Sequence, residues 1–235
     1  MQITPRQAAA YLGVNESTLR RWIKDRGLPV HRMNERLHLN AIEVWEWAVE
    51  HGVPASRNLL EEARRSPDPV PPLSALLEIG GVHRDIEGND KSTVLAAIVR
   101  RLPLAAEVDR EFLLTVLDAR EAMGSTGVGD GIAIPHVRNP ILLHVDHPFV
   151  SLCLLKQPVE FGAIDGKPVH ALFLVVSPSV PSHLKILAQL GFVLRDPELR
   201  ALLARRAPTT EILREVREIE QRSTGSFPTL GTPRS

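Results

Sequence analysis

Apolar positions at helical spacing open the chain, and the residues around them supply the helix ends. Thr4-Pro5-Arg6-Gln7 offers a capping hydroxyl, a proline at the first helical position and a glutamine three residues after the cap. A helix is predicted from there through Leu12, with Gly13-Val14 as the turn. Asn15 then caps a second helix on which Leu19, Trp22 and Ile23 share one stripe, and Gly27 ends it. Leu28–Leu39 has strand-turn-strand character, with Asn34 and Glu35 at its tip. Asn40-Ala41-Ile42-Glu43 reads as another capping box, opening a helix that bears Val44, Trp45, Ala48 and Val49. After Arg57 the periodicity stops. Four of the six residues Pro67–Pro72 are proline, which no helix survives, so a semi-rigid linker is expected.

Beyond the linker, helical and strand patterns alternate. Lys91–Leu102 and Asp109–Met123 read as helices, and Gly131–His136 and Val150–Leu155 as strands. Val159–Ile164 and Val169–Val176 read as two more strands joined through Asp165-Gly166-Lys167, because Asp-Gly favours a tight hairpin. Ser182–Leu194 and Thr210–Glu220 read as closing helices. The expected architecture is therefore two domains: a small N-terminal helical unit over 1–53, a linker over 54–72 and an α/β unit with a mixed sheet flanked by helices over 73–222. Residues 223–235, rich in Ser, Thr, Gly and Pro, are expected to form a disordered tail.

Charge sharpens this division. Lysine plus arginine equals aspartate plus glutamate over the whole chain, yet through Asn40 seven cations face three anions. The N-terminal unit thus suits a polyanionic partner. A single cysteine, Cys153, excludes an internal disulfide framework and a multi-cysteine zinc site, and its apolar surroundings predict a buried, inert strand thiol. No charged-then-apolar leader and no membrane-length apolar run occur, so a cytoplasmic protein without membrane insertion is expected.

Two helices around a tight turn, the second polar and basic opposite its apolar stripe, suit a DNA major groove. Ser17, Thr18, Arg20, Arg21 and Lys24 lie off the Leu19/Trp22/Ile23 stripe, and His31, Arg32 and Arg36 could form a wing. Thr4-Pro5, Ala8-Ala9, Leu12-Gly13-Val14, Thr18-Leu19-Arg20-Arg21-Trp22 and Gly27-Leu28-Pro29 together resemble the excisionase/MerR-type winged helix-turn-helix. That resemblance implies DNA as a partner. Glu35 at the wing tip departs from it by weakening the pull on phosphates. The plainer alternative makes the tryptophans core or surface aromatics and the charges a solvated face.

The segment from Arg120 to His136 carries the densest chemistry. Gly124, Gly127, Gly129 and Gly131 suggest a nucleotide loop, but no lysine follows them and the order is helix, glycines, strand. Both nucleotide readings fail on topology. What remains is a loop of small residues feeding an apolar strand, Ile132-Ala133-Ile134, that ends in Pro135-His136. Glycines bring backbone N–H groups close to an anion, and Ser125, Thr126 and Gly127 add donors. A neutral imidazole is nucleophilic at cytoplasmic pH. Arg120, at the end of its helix, and His183, near the start of another, could neutralise charge. His136 is accordingly expected to be reachable from solvent and ringed by donors. Taken singly, Arg120 reads as a snorkelling interface arginine and His183 as a surface histidine.

Arg120-Glu121-Ala122, Gly124-Ser125-Thr126-Gly127, Gly129 and Gly131-Ile132-Ala133-Ile134-Pro135-His136 are similar, nearly residue for residue, to phosphotransferase-system enzyme IIA domains of the fructose/mannitol/nitrogen-regulatory type. Phe161–His170 and His183-Leu184-Lys185 with Leu187-Ala188 resemble further blocks of the same family. The resemblance implies an α/β enzyme IIA-type domain whose His136 takes a phosphoryl group from an HPr-like phosphocarrier, with Arg120 and His183 lining the site. Arg138 sits where the family varies, and Gly191 is expected to interrupt the closing helix. No transporter domain accompanies the resemblance, which favours a regulatory, nitrogen-type role. An alternative keeps the IIA fold as a non-phosphorylated sensor or dimerisation module, and leaves a homodimer open. His144-Val145-Asp146-His147 lacks further ligands, and no metal or cofactor is expected.

Overall fold

The computed structural model describes residues 2–33, 36–53, 70–106, 108–137, 145 and 147–225. The N-terminal unit holds β1 (Gln2–Ile3), α1 (Pro5–Leu12), α2 (Glu16–Asp25), β2 (His31–Met33), β3 (Arg36–Asn40) and α3 (Ala41–Glu50). The expected capping box forms: the Thr4 hydroxyl accepts from Gln7 N–H, and the Gln7 side-chain oxygen accepts from Thr4 N–H. Gly13, at φ 66°, closes α1, and the Asn15 side chain accepts from Thr18 N–H at 2.8 Å to start α2. The strands make an antiparallel sheet in the order β1-β3-β2. Ala8, Leu12, Leu19, Leu28, Leu39, Val44 and Ala48 fill the core beneath.

The second unit comprises α4 (Leu73–Gly80), β4 (Val82–Ile86), α5 (Lys91–Arg101), α6 (Arg110–Ala122), β5 (Gly127–Gly129), β6 (Ile132–Ala133), β7 (Phe149–Val159), β8 (Val169–Val176), α7 (Val180–Val193), α8 (Pro197–Ala204) and α9 (Thr209–Gly225). Its sheet runs β4-β7-β8-β6-β5 and is mixed as expected: β4/β7 and β6/β8 are parallel, β7/β8 and β5/β6 antiparallel. Alternate residues of the central strands serve opposite faces. Val150, Leu152, Leu154, Ala171, Phe173 and Val175 pack with α4, α7, α8 and α9, while Cys153, Leu155, Leu172, Leu174 and Val176 pack with α5 and α6. A sheet covered on both faces needs apolar residues at every position, which is why β7 and β8 read as continuous apolar runs. Burial pushes the Cys153 thiol up to about 12, in keeping with an inert strand cysteine.

Several expectations are corrected. No strand spans Val159–Ile164: β7 runs unbroken from Phe149 to Val159 and pairs directly with β8, and Asp165-Gly166 turns within the intervening loop. Gly191 does not interrupt α7, which continues to Val193, with Leu190 buried and Phe192 half-buried on either side of the glycine. Helices α4 and α8 and strand β4 have no counterpart among the expected elements, although Asp196 caps α8 by accepting from Glu198 and Leu199 N–H groups. Helix α9 extends to Gly225, past the expected start of the tail. The remaining tail, most of the linker, the wing tip (Asn34 and Glu35) and Arg138 lie outside the described residues. Among the described residues no helix is long and apolar enough to cross a membrane.

The two units share one apolar core. It is continuous from Ile3, Leu19 and Trp45 to Leu73, Phe173, Leu187 and Ile212. Helix α3 lies against α7, and the Gln189 side-chain amide donates to the Pro71 carbonyl at 3.2 Å.

Candidate functional site

The approach to His136 is a tight hairpin. Strands β5 and β6 are joined by Asp130-Gly131, both at positive φ (51° and 71°), the geometry that twists a two-residue turn to match its strands. Only glycine fits the second position, because a Cβ there would lie 2.4 Å from Cδ2 of His170. The Gly131 carbonyl accepts from the His170 and Ala171 N–H groups, which locks the turn onto the start of β8. The chain then runs parallel to β8, Pro135 O accepts from Val175 N–H at 3.2 Å, and His136 bridges to Val175. His136 therefore emerges where the β6/β8 ladder ends, beside the start of α7.

Its ring orientation fixes its chemistry. Nδ1 lies 2.7 Å from the Ile134 carbonyl, which can only accept, so Nδ1 carries the proton. In the neutral ring Nε2 then holds the lone pair. The His183 ring is 5.2 Å away between centroids, tilted by 44°, and its Nδ1 is 3.0 Å from the Ser177 hydroxyl. His183 is not a surface histidine: it is wholly buried in the first turn of α7. Arg120 is also buried and donates from Nη1 to the Gly124 carbonyl at 2.8 Å, so its guanidinium does reach the glycine loop. Arg120, Ser125, Thr126, Gly127 and His136 border one cavity of about 420 Å³. Residues that the sequence motif groups together thus converge in space.

Three donor groups of the loop are engaged within the protein. The Thr126 N–H and hydroxyl both donate to the Glu121 carboxylate, at 3.2 Å and 2.7 Å, and Gly127 N–H donates to Ser125 Oγ at 3.0 Å. Glu121 is buried, and Lys91 completes the donors around its carboxylate at 3.1 Å. Glu121 and Lys91 hold the loop in shape. Sequence reasoning gives them no such role, although Glu121 sits inside the motif.

One expectation fails. His136 is not reachable from solvent: it is 1% exposed. His183 of the same domain packs on one side of the ring, and the N-terminal unit contributes to its cover on another. Trp45 of α3, itself 2% exposed, stands edge-on to the His136 ring, 6.2 Å between centroids and 84° between planes. Gly27, Pro29, Glu43, Trp47 and His51 supply the opposite wall of the cavity. Nothing in the periodicity of α3 distinguishes an indole aimed at its own core from one aimed at another domain.

The candidate DNA face points elsewhere. Ser17, Arg20, Arg21 and Lys24 are exposed along α2, and Thr18 is half-buried at its start. The Ser17 hydroxyl donates to Asn15 Oδ1 at 2.7 Å. Arg32 and Arg36 lie on β2 and β3, where Met33 pairs with Arg36. His31 is held 2.7 Å from the Glu43 carboxylate. Trp22 packs on Trp47 at 5.2 Å, and the Arg26 guanidinium lies over both rings. His144 and Asp146 lie outside the described residues, and among those described no group of three His, Cys, Asp or Glu side chains gathers at metal-binding distances.

Comparison with known proteins agrees with this architecture. Residues 75–219 match the family model described as phosphoenolpyruvate-dependent sugar phosphotransferase system, EIIA 2, and residues 3–52 match a helix-turn-helix domain. The nitrogen regulatory protein of Pseudomonas aeruginosa is 37% identical over 150 residues, covering 61% of this chain and 93% of that protein. That of Escherichia coli K12 is 39% identical over 100 residues, 41% of this chain and 57% of that protein. The crystal structure of nitrogen regulatory protein IIA-Ntr from Neisseria meningitidis superimposes with a TM-score of 0.53 at 26% identity, covering 60% of this chain and 99% of its own. With its hairpin-borne histidine, its mixed sheet and a match over most of its length, the chain belongs to the EIIA 2 family of the phosphotransferase system and carries an N-terminal helix-turn-helix domain fused to it.

Proposed function

We propose that His136 accepts a phosphoryl group and that the helix-turn-helix domain makes this chain a DNA-linked regulator of the nitrogen-regulatory type, working in the cytoplasm. The observation that carries this reading is the bond from Nδ1 to the Ile134 carbonyl, which presents Nε2 as the nucleophile inside a pocket bordered by Arg120 and the glycine loop. The donor is a phosphohistidine on an HPr-like carrier. Nε2 of neutral His136 attacks phosphorus in line; the new P–N bond forms as the P–N bond to the donor imidazole breaks. The donor ring, protonated on its other nitrogen, leaves as a neutral imidazole, and phosphorylated His136 keeps its Nδ1 proton, donated to the Ile134 carbonyl. Such transfer asks for positioning and charge neutralisation more than for covalent chemistry. Arg120 and His183 are assigned the neutralising role, and Ser125 that of a hydrogen-bond donor to the phosphoryl oxygens.

Incubation of the full chain with phosphoenolpyruvate, enzyme I and HPr, followed by peptide mass spectrometry, tests the reading. Acid-labile phosphate is expected on His136 and is lost in His136→Ala. Absence of phosphate at His136 both in the wild type and in a chain whose Trp45 cover is removed overturns it. The burial of His136 favours a second reading, in which the IIA fold serves only as a sensor or dimerisation module. An unchanged DNA response in His136→Ala supports that one.

A further inference from the structure

A phosphoryl acceptor that passes its group between proteins must meet the donor's phosphorus at roughly 3–3.5 Å, in line with the attacking nitrogen. Helix α3 stands in that approach. Trp45 covers His136, the core runs without a break from one domain into the other, and the cavity beside the ring is walled by both. We propose that the helix-turn-helix domain occupies the surface a phosphocarrier needs, so that its docking through Trp45 and phosphoryl transfer to His136 exclude one another. The proposal rests on the reading of His136 as the acceptor and adds how that site is controlled.

Three features support exclusion in both directions. A protein donor presents its own imidazole on a folded surface, and the indole leaves that surface no route to His136. Once formed, the dianionic phosphoryl group would be desolvated against a face that carries the buried Glu43 carboxylate, itself already committed to His31. Finally, the docked state is built to be left: Trp45 Nε1 is buried with no hydrogen-bond acceptor among the described residues, a donor that water satisfies as soon as α3 lifts away. Because coupling is reciprocal, a phosphoryl group that disfavours docking is itself favoured by undocking. The α2 cations are exposed in the docked form, so what release alters is the domain's freedom to orient on a duplex rather than the chemistry of its reading face.

Acylation of histidines by diethyl pyrocarbonate, read peptide by peptide, measures access to His136 without any phosphate, with exposed His147 as the internal reference. In the wild type His136 is expected to react far more slowly than His147. Trp45→Glu should raise the His136 rate by at least about tenfold, within the usual span of coupling between sites, and Trp45→Phe should preserve protection. Unchanged hydrogen-exchange protection of α1 shows that the domain has let go rather than unfolded; if Trp45→Glu unfolds it, Trp45→Leu takes its place. Wild-type His136 reacting as fast as His147, or protection persisting without the indole, overturns the proposal. With phosphoenolpyruvate, enzyme I and HPr, Trp45→Glu should take up phosphate faster than wild type, and equal rates overturn exclusion. Absence of phosphate in both proteins sinks the acceptor reading instead, and the acylation rates still decide whether the indole is the cover.

Discussion

Helices α2 and α3 belong to one fifty-residue unit and share one core, yet their outer faces do opposite things. Helix α2 turns Arg20, Arg21 and Lys24 to solvent, while α3 turns Trp45 into the neighbouring domain. Long cationic side chains are inexpensive to leave in water; a bare indole of that size is not, and it finds a surface to cover. A small domain can thus keep a polyanion-facing side and a protein-facing side at once, provided its core holds the two helices at a fixed angle.

The largest expected effect comes from removing that shared support. Leu19 of α2 is fully buried in the core the two helices share, and Leu19→Ala should cost about 2–5 kcal/mol. Thermal melting should show it, and both duplex binding and His136 protection should fall together. If only one falls, the two faces do not depend on a common core. A middle effect separates the faces. Replacing Arg20, Arg21 and Lys24 by alanine should weaken duplex binding. The slope of log affinity against log salt should flatten by about 0.9 for each DNA phosphate no longer neutralised, while His136 acylation stays at its wild-type rate. A change in that rate would mean the α2 face also takes part in docking.

The smallest effect concerns neither face. Asp130, in the turn before β6, bonds Lys167 at 2.9 Å and Arg200 at 2.7 Å, and Asp165 accepts from Asp130 N–H. The Lys167 hydrogen bond holds the Asp130 carboxyl below its ordinary value, and the Asp130 N–H does the same for Asp165. Both folded values are depressed, so their stabilisation is complete above the unfolded carboxylate value of 3.8 and is lost as pH falls through the lower folded ones. These pairs are solvent-screened and contribute up to about 1 kcal/mol. Asp130→Asn should lower the melting temperature by no more than about 2–4 °C near neutrality. Melting curves should converge with wild type in acid and in high salt; a difference persisting there would refute the electrostatic account.

The same residues show what a sequence can and cannot tell. Caps are local, so Thr4, Asn15 and Gly13 announce α1 and α2 correctly. Two Asp-Gly pairs occur in the chain, and the pattern points to Asp165-Gly166 for the hairpin, because that pair lies between runs of strong β character. The tight hairpin belongs to Asp130-Gly131, where the strands are too short and glycine-rich to advertise themselves. Helix α8 hides behind its brevity despite Asp196-Pro197 at its start. The convergence of Arg120, His136 and His183 is legible because a motif fixes it. The Trp45 cover is not, since packing between domains leaves no period, spacing or cap in either one.

The apolar core that passes from Leu19 through Trp45 to Leu187 carries a consequence for how this molecule comes apart. Two sequence families meet in the chain, but the buried cluster that crosses their boundary should make heat melt them as one cooperative body. The number of calorimetric steps is then set by whether the halves are clasped, and not by how many domains the gene encodes.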